Sequence, residues 1–166
     1  MDNKFCSESR VFQTNRVLPP HTNNHKTLFG GKLMALIDEI ASISASKHCR
    51  TECVTASMDS VDFLHSIRPT DAVYLESFVT YTGTSSMEIF VKVIAEHLIS
   101  GEKKVAATSF LTFVSLDELG KPKKVPSVIP ESDEEKYLFE TAEERMKIRK
   151  NKRKLSVYLA EKIEKY

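Results

Sequence analysis

The sequence predicts an α+β fold: one long central helix wrapped by an antiparallel β-sheet, with a peripheral helix at the C-terminus. Three observations predict it. A single helical apolar repeat runs from Gly31 to about His48, four segments between residues 52 and 116 alternate with period 2, and the connections between those segments are short and turn-rich. Strands joined by short loops pair antiparallel, and a helix with an apolar stripe covers the sheet they make.

Each element has its own signature. RVFQTNRV (10–17) sets Val11 and Val17 on one face and Phe12 on the other, and the Pro19-Pro20 pair ends it, so it reads as a first strand. In the helix, Leu33, Leu36, Ile37, Ile40, Ile43 and Ser44 recur at helical spacing, and Met34, Ala41 and Ala45 widen the stripe until burial almost all round is expected. ECVTASMDSVDFL (52–64) alternates and then shifts phase at Val61 and Phe63, which a β-bulge accommodates. DAVYLESFVTYTG (71–83), SMEIFVKVIAEHL (86–98) and VAATSFLTFVSL (105–116) complete the set. Pro69-Thr70-Asp71, Thr82-Gly83-Thr84 and Ser100-Gly101-Glu102 supply the turns.

Residues 117–132 hold three prolines and little periodicity, so an extended crossing segment is expected. Ser132 followed by Asp133, Glu134 and Glu135 marks a helix start. The basic run RMKIRKNKRK (145–154) follows Glu140, Glu143 and Glu144, and that spacing suits a solvated helix with i to i+4 ion pairs better than a phosphate grip. Strands apolar on both faces in places, as at Tyr74 and Phe78 opposite Val73 and Val79, point to self-association.

Composition narrows the function classes. The chain has 166 residues, enough for one core, and 24 basic against 23 acidic residues leave a net charge of +1. That balance gives no bulk attraction to nucleic acid or anionic lipid. No apolar run approaches the roughly 20 residues of a membrane span, and MDNKFCSESR lacks a signal-peptide core, so a soluble cytoplasmic protein is expected. Cys6, Cys49 and Cys53 cannot all pair within one chain, which fits a reducing compartment. His48, Cys49 and Cys53 make only a fragment of a metal site, and thiols at a helix end are the preferred reading.

The chemistry concentrates in HTNNHKTLFGGKLMALIDE (21–39). A helix N-terminus offers unpaired N–H groups and a partial positive charge, and Gly30 and Gly31 let an oxygen approach it closely or else fit a tight turn. Asp38 shares a stripe with Met34, Ala41 and Ala45, which makes it a candidate general base, whereas Glu39 lies with Ala35, Ser42 and Ser46 as a structural acid.

LFGGKLMALIDEIA with Asn23 ahead of it, then VTASMDSVDFLHSIRPTDAV, then YTGTSSMEIFVKV closely resembles the single-hotdog-domain acyl-CoA thioester hydrolases of the cytosolic and bacterial type. The similarity runs from about Arg10 to the tail helix. It implies a hotdog domain over residues 8–125 with a C-terminal extension over 126–166, paired into dimers and assembled as a trimer of dimers. It also implies hydrolysis of acyl-CoA to free acid and CoA without a metal or other cofactor, and no nucleic-acid or membrane partner. The family's catalytic Asn and Asp, which act across the dimer interface, map onto Asn23 and Asp38. Relatives often carry glycine where this chain has Lys26.

A thioester carbonyl is already reactive, so position and polarisation can suffice. The expected roles are Gly31 N–H, helped by Gly30, on the thioester oxygen, Asp38 activating water, and the partner's asparagine at position 23 orienting water or substrate. Direct attack by Asp38 through an anhydride is the competing route. By resemblance Thr84, Ser85 and Ser86 meet the pantetheine arm, with ordinary hairpin chemistry as the alternative. Arg68, Lys103 and Lys104 are candidates for the CoA phosphates. Two other readings stay open: a hotdog hydroxyacyl dehydratase using His21 or His25, and an acyl-CoA sensor that binds without hydrolysis.

Overall fold

A computed structural model of the chain describes residues 3–164. The elements run β1 (Lys4–Phe5), α1 (Cys6–Ser9), β2 (Val11–Arg16), α2 (Gly30–Cys49), β3 (Glu52–Phe63), β4 (Asp71–Thr82), β5 (Ser86–His97), β6 (Lys103–Leu116), β7 (Val128–Ile129), α3 (Asp133–Glu140) and α4 (Ala142–Ile163). Five strands form one antiparallel sheet in the order β2-β4-β5-β6-β3. The predicted strands and helix α2 are therefore all present within a few residues of their expected ends. Sequence reading missed α1 and the parallel β1–β7 pairing inside the crossing segment, because elements of two to four residues carry no periodicity.

Helix α2 lies on one face of the sheet. Leu33, Leu36, Ile37, Ile40, Ala41, Ser44 and Ala45 are buried against Val73, Leu75, Val79, Ile89, Val91 and Leu111. Each large aliphatic side chain so buried contributes about 1.5–3 kcal/mol. Within this apolar layer Ser44 Oγ donates to Ser77 Oγ at 2.9 Å, so both buried hydroxyls are satisfied and the helix is fixed in register along β4. His48 closes the helix end by bonding Pro126 O through Nε2 at 2.9 Å.

The expectation of burial almost all round α2 is not met within one protomer. Met34 is 40 % exposed, Ile43 48 % exposed, and Ala35 is exposed as well. One sheet can cover only one side of a helix, and this apolar outer side is left open next to the edge strand β3.

Bulges set the twist. In β3 the register slips between Thr55 and Ser57 and again between Met58 and Ser60, earlier than the phase change read at Val61, and β4 slips once between Val79 and Tyr81. Gly101 takes φ +73° in the β5–β6 turn, where glycine is the natural choice.

The sheet's other face carries a second apolar layer. Phe78, Phe90 and Phe110 stack with ring centroids 5.9 and 5.1 Å apart, and guanidinium groups cap the row: Arg10 over Phe78 at 3.9 Å and Arg145 over Phe110 at 4.3 Å. This face accounts for part of the two-sided apolarity that suggested self-association. It also corrects the picture of a purely solvated tail. Arg145 forms a two-pronged pair with Glu88 (Nη2 to Oε1 2.8 Å, Nε to Oε2 3.1 Å), and Arg149 reaches Thr112 at 2.7 Å and Asp59 at 3.6 Å. Among the described residues only Lys147 with Glu143 makes the expected i to i+4 pair in this helix. The helix start at Ser132 is as predicted, a capping box in which Ser132 and Glu135 each accept the other's N–H, but the tail breaks into α3 and α4 at Thr141.

Two outcomes follow from these contacts. Glu88 is 4 % exposed, so Arg145→Met strands a buried carboxylate and should cost about 3 kcal/mol, read as a lower urea midpoint. The double variant Arg145→Met, Glu88→Gln should regain much of that loss. Burial holds the His48 imidazole below its ordinary value, so the unfolded chain binds a proton that the folded chain refuses. His48 therefore contributes stability fully above pH of about 6.5 that is lost as pH falls below it. Thermal melts from pH 7 to pH 5 should show that decline, and His48→Gln should flatten it.

Candidate functional site

Gly30 and Gly31 occupy the first two positions of α2, after Phe29 as N-cap. No side chain caps this helix, so its first-turn N–H groups lack the partner that Ser132 gives α3. Neither glycine has a positive φ. A Cβ on Gly30 would make only ordinary contact with Phe63 at 3.5 Å, and one on Gly31 would meet the exposed Phe29 ring at 2.6 Å, which can swing aside. The tight-turn reading thus finds no support at Gly30, whereas at Gly31 the Phe29 ring makes the close approach that a glycine permits. The helix end is open at Gly30 and overlain by the exposed Phe29 ring at Gly31.

A cavity of about 340 Å³ adjoins this end, walled by Asn23, Thr27, Gly30, Leu33, Phe63 and His65 among others. Asn23 spends its side chain on its own loop: Oδ1 accepts from His25 N at 2.9 Å and Thr27 N at 3.2 Å, and Nδ2 donates to Thr27 Oγ1 at 3.0 Å. Lys26 N–H donates to Asn23 O, and Lys26 sits at φ +58°. That left-handed conformation is the physical reason a glycine suits the position, and here a lysine adopts it under the hold of the Asn23 bonds. His25 is exposed and His21 half-buried.

Asp38 stands eight residues further along, about 12 Å up the helix axis. It is half-buried, and its Oδ1 accepts a hydrogen bond from the Thr55 hydroxyl of β3 at 2.9 Å. Among the described residues no Lys, Arg or His pairs with it. Met34 on its stripe is exposed while Ala41 and Ala45 are buried, so shelter from water is incomplete in a single protomer. Glu39 is exposed and forms no ion pair among the described residues. Thr55 was not singled out in the sequence, since its role depends on which residue of β3, just before the first register slip, comes to face Asp38 in the folded chain.

The structure does not bring Asn23 and Asp38 together within one protomer, and it separates Thr84, Ser85 and Ser86 from the glycines as well. Ser86 pairs with Val114 and Val114 with Val54 at the start of β3, whereas Gly30 meets Phe63 at its end. The two positions are nine strand steps, about 30 Å, apart. The hairpin also does ordinary structural work: Gly83 N–H bonds Ser86 O, Ser85 O accepts from Ser115 N, and Thr84 O accepts from Val125 N.

Arg68 lies on the glycine side. It shares a cavity of about 350 Å³ with Ser66, His97 and Lys104, and Ser66 also lines the Asn23 cavity, so the two are neighbours. Lys103 instead pairs with Glu96 at 3.3 Å.

Comparison with known proteins gives concordant results. Residues 25–101 match the Thioesterase superfamily. The chain is 62 % identical to the uncharacterised acyl-CoA thioester hydrolase YkhA of Bacillus subtilis over 96 % of its length and 92 % of that protein. It is 39 % identical to the cytosolic acyl coenzyme A thioester hydrolase of Mus musculus over 81 % of this chain, which spans only 36 % of the mouse protein. An acyl-CoA hydrolase from Staphylococcus aureus, solved in complex with butyryl coenzyme A, coenzyme A and coenzyme A disulfide, superposes with a TM-score of 0.93 at 47 % identity, covering 96 % of this chain and 98 % of that one. Further structures of it replace an aspartate, a threonine or an asparagine by alanine. An apo-hexameric acyl-CoA thioesterase superposes with a TM-score of 0.89 at 50 % identity, over 92 % and 97 % of the chains.

The strained turn offers a direct check. Lys26→Gly should raise stability by up to about 1 kcal/mol, the left-handed penalty less the added freedom of the unfolded chain, and Lys26→Val should lower the melting temperature.

Proposed function

The chain belongs to the thioesterase superfamily, among its acyl-CoA thioester hydrolases, and from that membership we propose that it hydrolyses acyl-CoA to free acid and CoA at a site shared between two copies. The observation that carries the proposal is Asp38: a carboxylate with no cationic partner among the described residues, held by one hydroxyl, on the open side of a helix that begins with uncapped glycines.

Two copies pair through β3. It is an edge strand, Val54, Thr55 and Ala56 are exposed on it, and Met34, Ala35 and Ile43 of α2 lie exposed alongside. Antiparallel pairing about a two-fold axis sets the start of one β3 opposite the end of the other. The partner's hairpin 84–86 then lies near Gly30 and Gly31, and the partner's loop around position 23 faces Asp38. The same step covers the apolar side of α2 and completes the shelter of Asp38. The hexameric relative supports further assembly into a trimer of dimers.

At this site the partner's Gly31 N–H, aided by the Gly30 and helix dipole of that copy, donates to the thioester oxygen, because the glycines share a cavity with Asn23 and lie about 10 Å down the helix from the Asp38 of their own protomer; a preorganised donor of this kind is worth about 10²–10³ in rate. Asp38 takes a proton from the attacking water, Thr55 fixes the rotamer of that carboxylate, and the partner's asparagine orients the water. Thiolate leaves without further help. Replaced residues in the Staphylococcus aureus enzyme support this set: its asparagine, aspartate and threonine stand fifteen and seventeen positions apart, the spacing of Asn23, Asp38 and Thr55 here. Arg68 and Lys104, in the cavity that continues from the glycine end, meet the CoA phosphates.

Thiol release from a panel of acyl-CoAs, acetyl to palmitoyl, tests the reading. Asp38→Asn should keep the fold and substrate binding and lose most turnover; a wild-type rate would remove Asp38 from the mechanism. Gly30→Ala should melt no lower than the wild type, since a methyl fits there, yet turn over more slowly because that methyl blocks the approach to the helix end.

A further inference from the structure

The turn between α2 and β3 holds a second chemically distinct cluster. Cys49 ends the helix and Cys53 is the second residue of the strand, and their sulfurs lie 2.8 Å apart, both half-buried. Thr51 between them donates its hydroxyl to Cys49 Sγ at 3.2 Å and also bonds the buried Ser115 hydroxyl at 2.6 Å, so the donor is fixed to β6. Arg50 makes the reversal in the left-handed conformation, φ +56°. His48 does not join the pair, since its ring is turned to Pro126 O, and among the described residues no three His, Cys, Asp or Glu side chains converge to hold a metal. Cys6 is buried elsewhere in the core.

We propose that Cys49 and Cys53 form a reversible oxidation site whose co-reactant is a hydroperoxide, with Cys49 the attacking thiolate and Cys53 the resolving thiol. In the first step Cys49 sulfur bonds one peroxide oxygen as the O–O bond breaks, which leaves a sulfenic acid and releases water or an alcohol. In the second, Cys53 gives up its proton and bonds the Cys49 sulfur, and the sulfenic oxygen leaves as water. Two thiols are oxidised to one disulfide and one peroxide is reduced.

The division of roles follows from the donors. With the Cys53 sulfur at hydrogen-bond distance and the Thr51 hydroxyl donating to Cys49 and not to Cys53, the Cys49 thiol is brought down to about 5 against the opposing effect of burial, while the same sulfur contact holds Cys53 protonated. The helix C-terminus disfavours a negative charge, so these local donors must outweigh it. Cys6, pushed up to about 12 by burial, is the internal control. A low-lying thiol gains in thiolate fraction at pH 6 more than it loses in nucleophilicity, a net advantage of roughly tenfold over an ordinary cysteine.

The test uses the intact reduced protein. Titration with hydrogen peroxide, blocking with iodoacetamide and peptide mapping should show a Cys49–Cys53 disulfide, reversed by dithiothreitol, with Cys6 still alkylated. Cys53→Ser should accumulate a dimedone-trappable sulfenic acid on Cys49, and Cys49→Ser should leave Cys53 reduced at the same dose. Because a variant can disturb the turn, wild-type iodoacetamide labelling at pH 6 is measured as well, where Cys49 should react at least roughly tenfold faster than Cys6. Consumption of Cys6 first, oxidation without the crosslink, or equal labelling of Cys49 and Cys6 would overturn the proposal.

Discussion

The apolar stripe of α2 has one place to go, the inner face of the sheet, and that constraint orders the rest of the molecule. Leu33, Leu36, Ile37 and Ile40 bury there, and the Ser44–Ser77 bond fixes how far the helix slides along β4. With register and rotation set, every other feature of the helix is placed by geometry. Gly30 and Gly31 come to one end of the sheet, Cys49 to the other, and Asp38 to the open side between them. A helix rotated by one residue would turn Asp38 toward the core, where an unpaired carboxylate is not tolerated.

The same rotation leaves a surface that the proposed second copy would cover. Burial on one side leaves Met34, Ala35 and Ile43 facing outward beside β3, whose own edge N–H and C=O groups are unpaired in a single protomer. In the proposed dimer function and assembly are thereby coupled, because the residues a second copy would cover are those that flank the candidate base. The opposite face of the sheet is covered within the protomer. Arg10, Arg145 and the helices α3 and α4 close over Phe78, Phe90 and Phe110, so the charged tail acts as a cover anchored by Glu88 and Asp59.

Polar groups near the site divide by how they are held. Thr55 restrains Asp38 without neutralising it, whereas Asn23 is tied into its own turn with Lys26 in a left-handed conformation. A carboxylate kept free of cations and an amide kept rigid are both consistent with preorganisation around a water molecule. The Cys49–Cys53 pair lies at the far end of the helix and belongs to a different chemistry.

By itself the sequence determined the order of the major elements and the long helix among them, because periodicity and short motifs are local properties of a chain, while Gly30, Gly31, Asn23 and Asp38 as site residues belong to the proposal that the family resemblance supplied. It also fixed the Ser132 cap. Only the tertiary structure decided which side of α2 is buried, that Arg145 and Arg149 turn inward, that Thr55 meets Asp38, and that Cys49 and Cys53 touch. Those facts depend on contacts between residues far apart in the chain and on bulges that change which side chain faces where, and neither leaves a mark in local spacing.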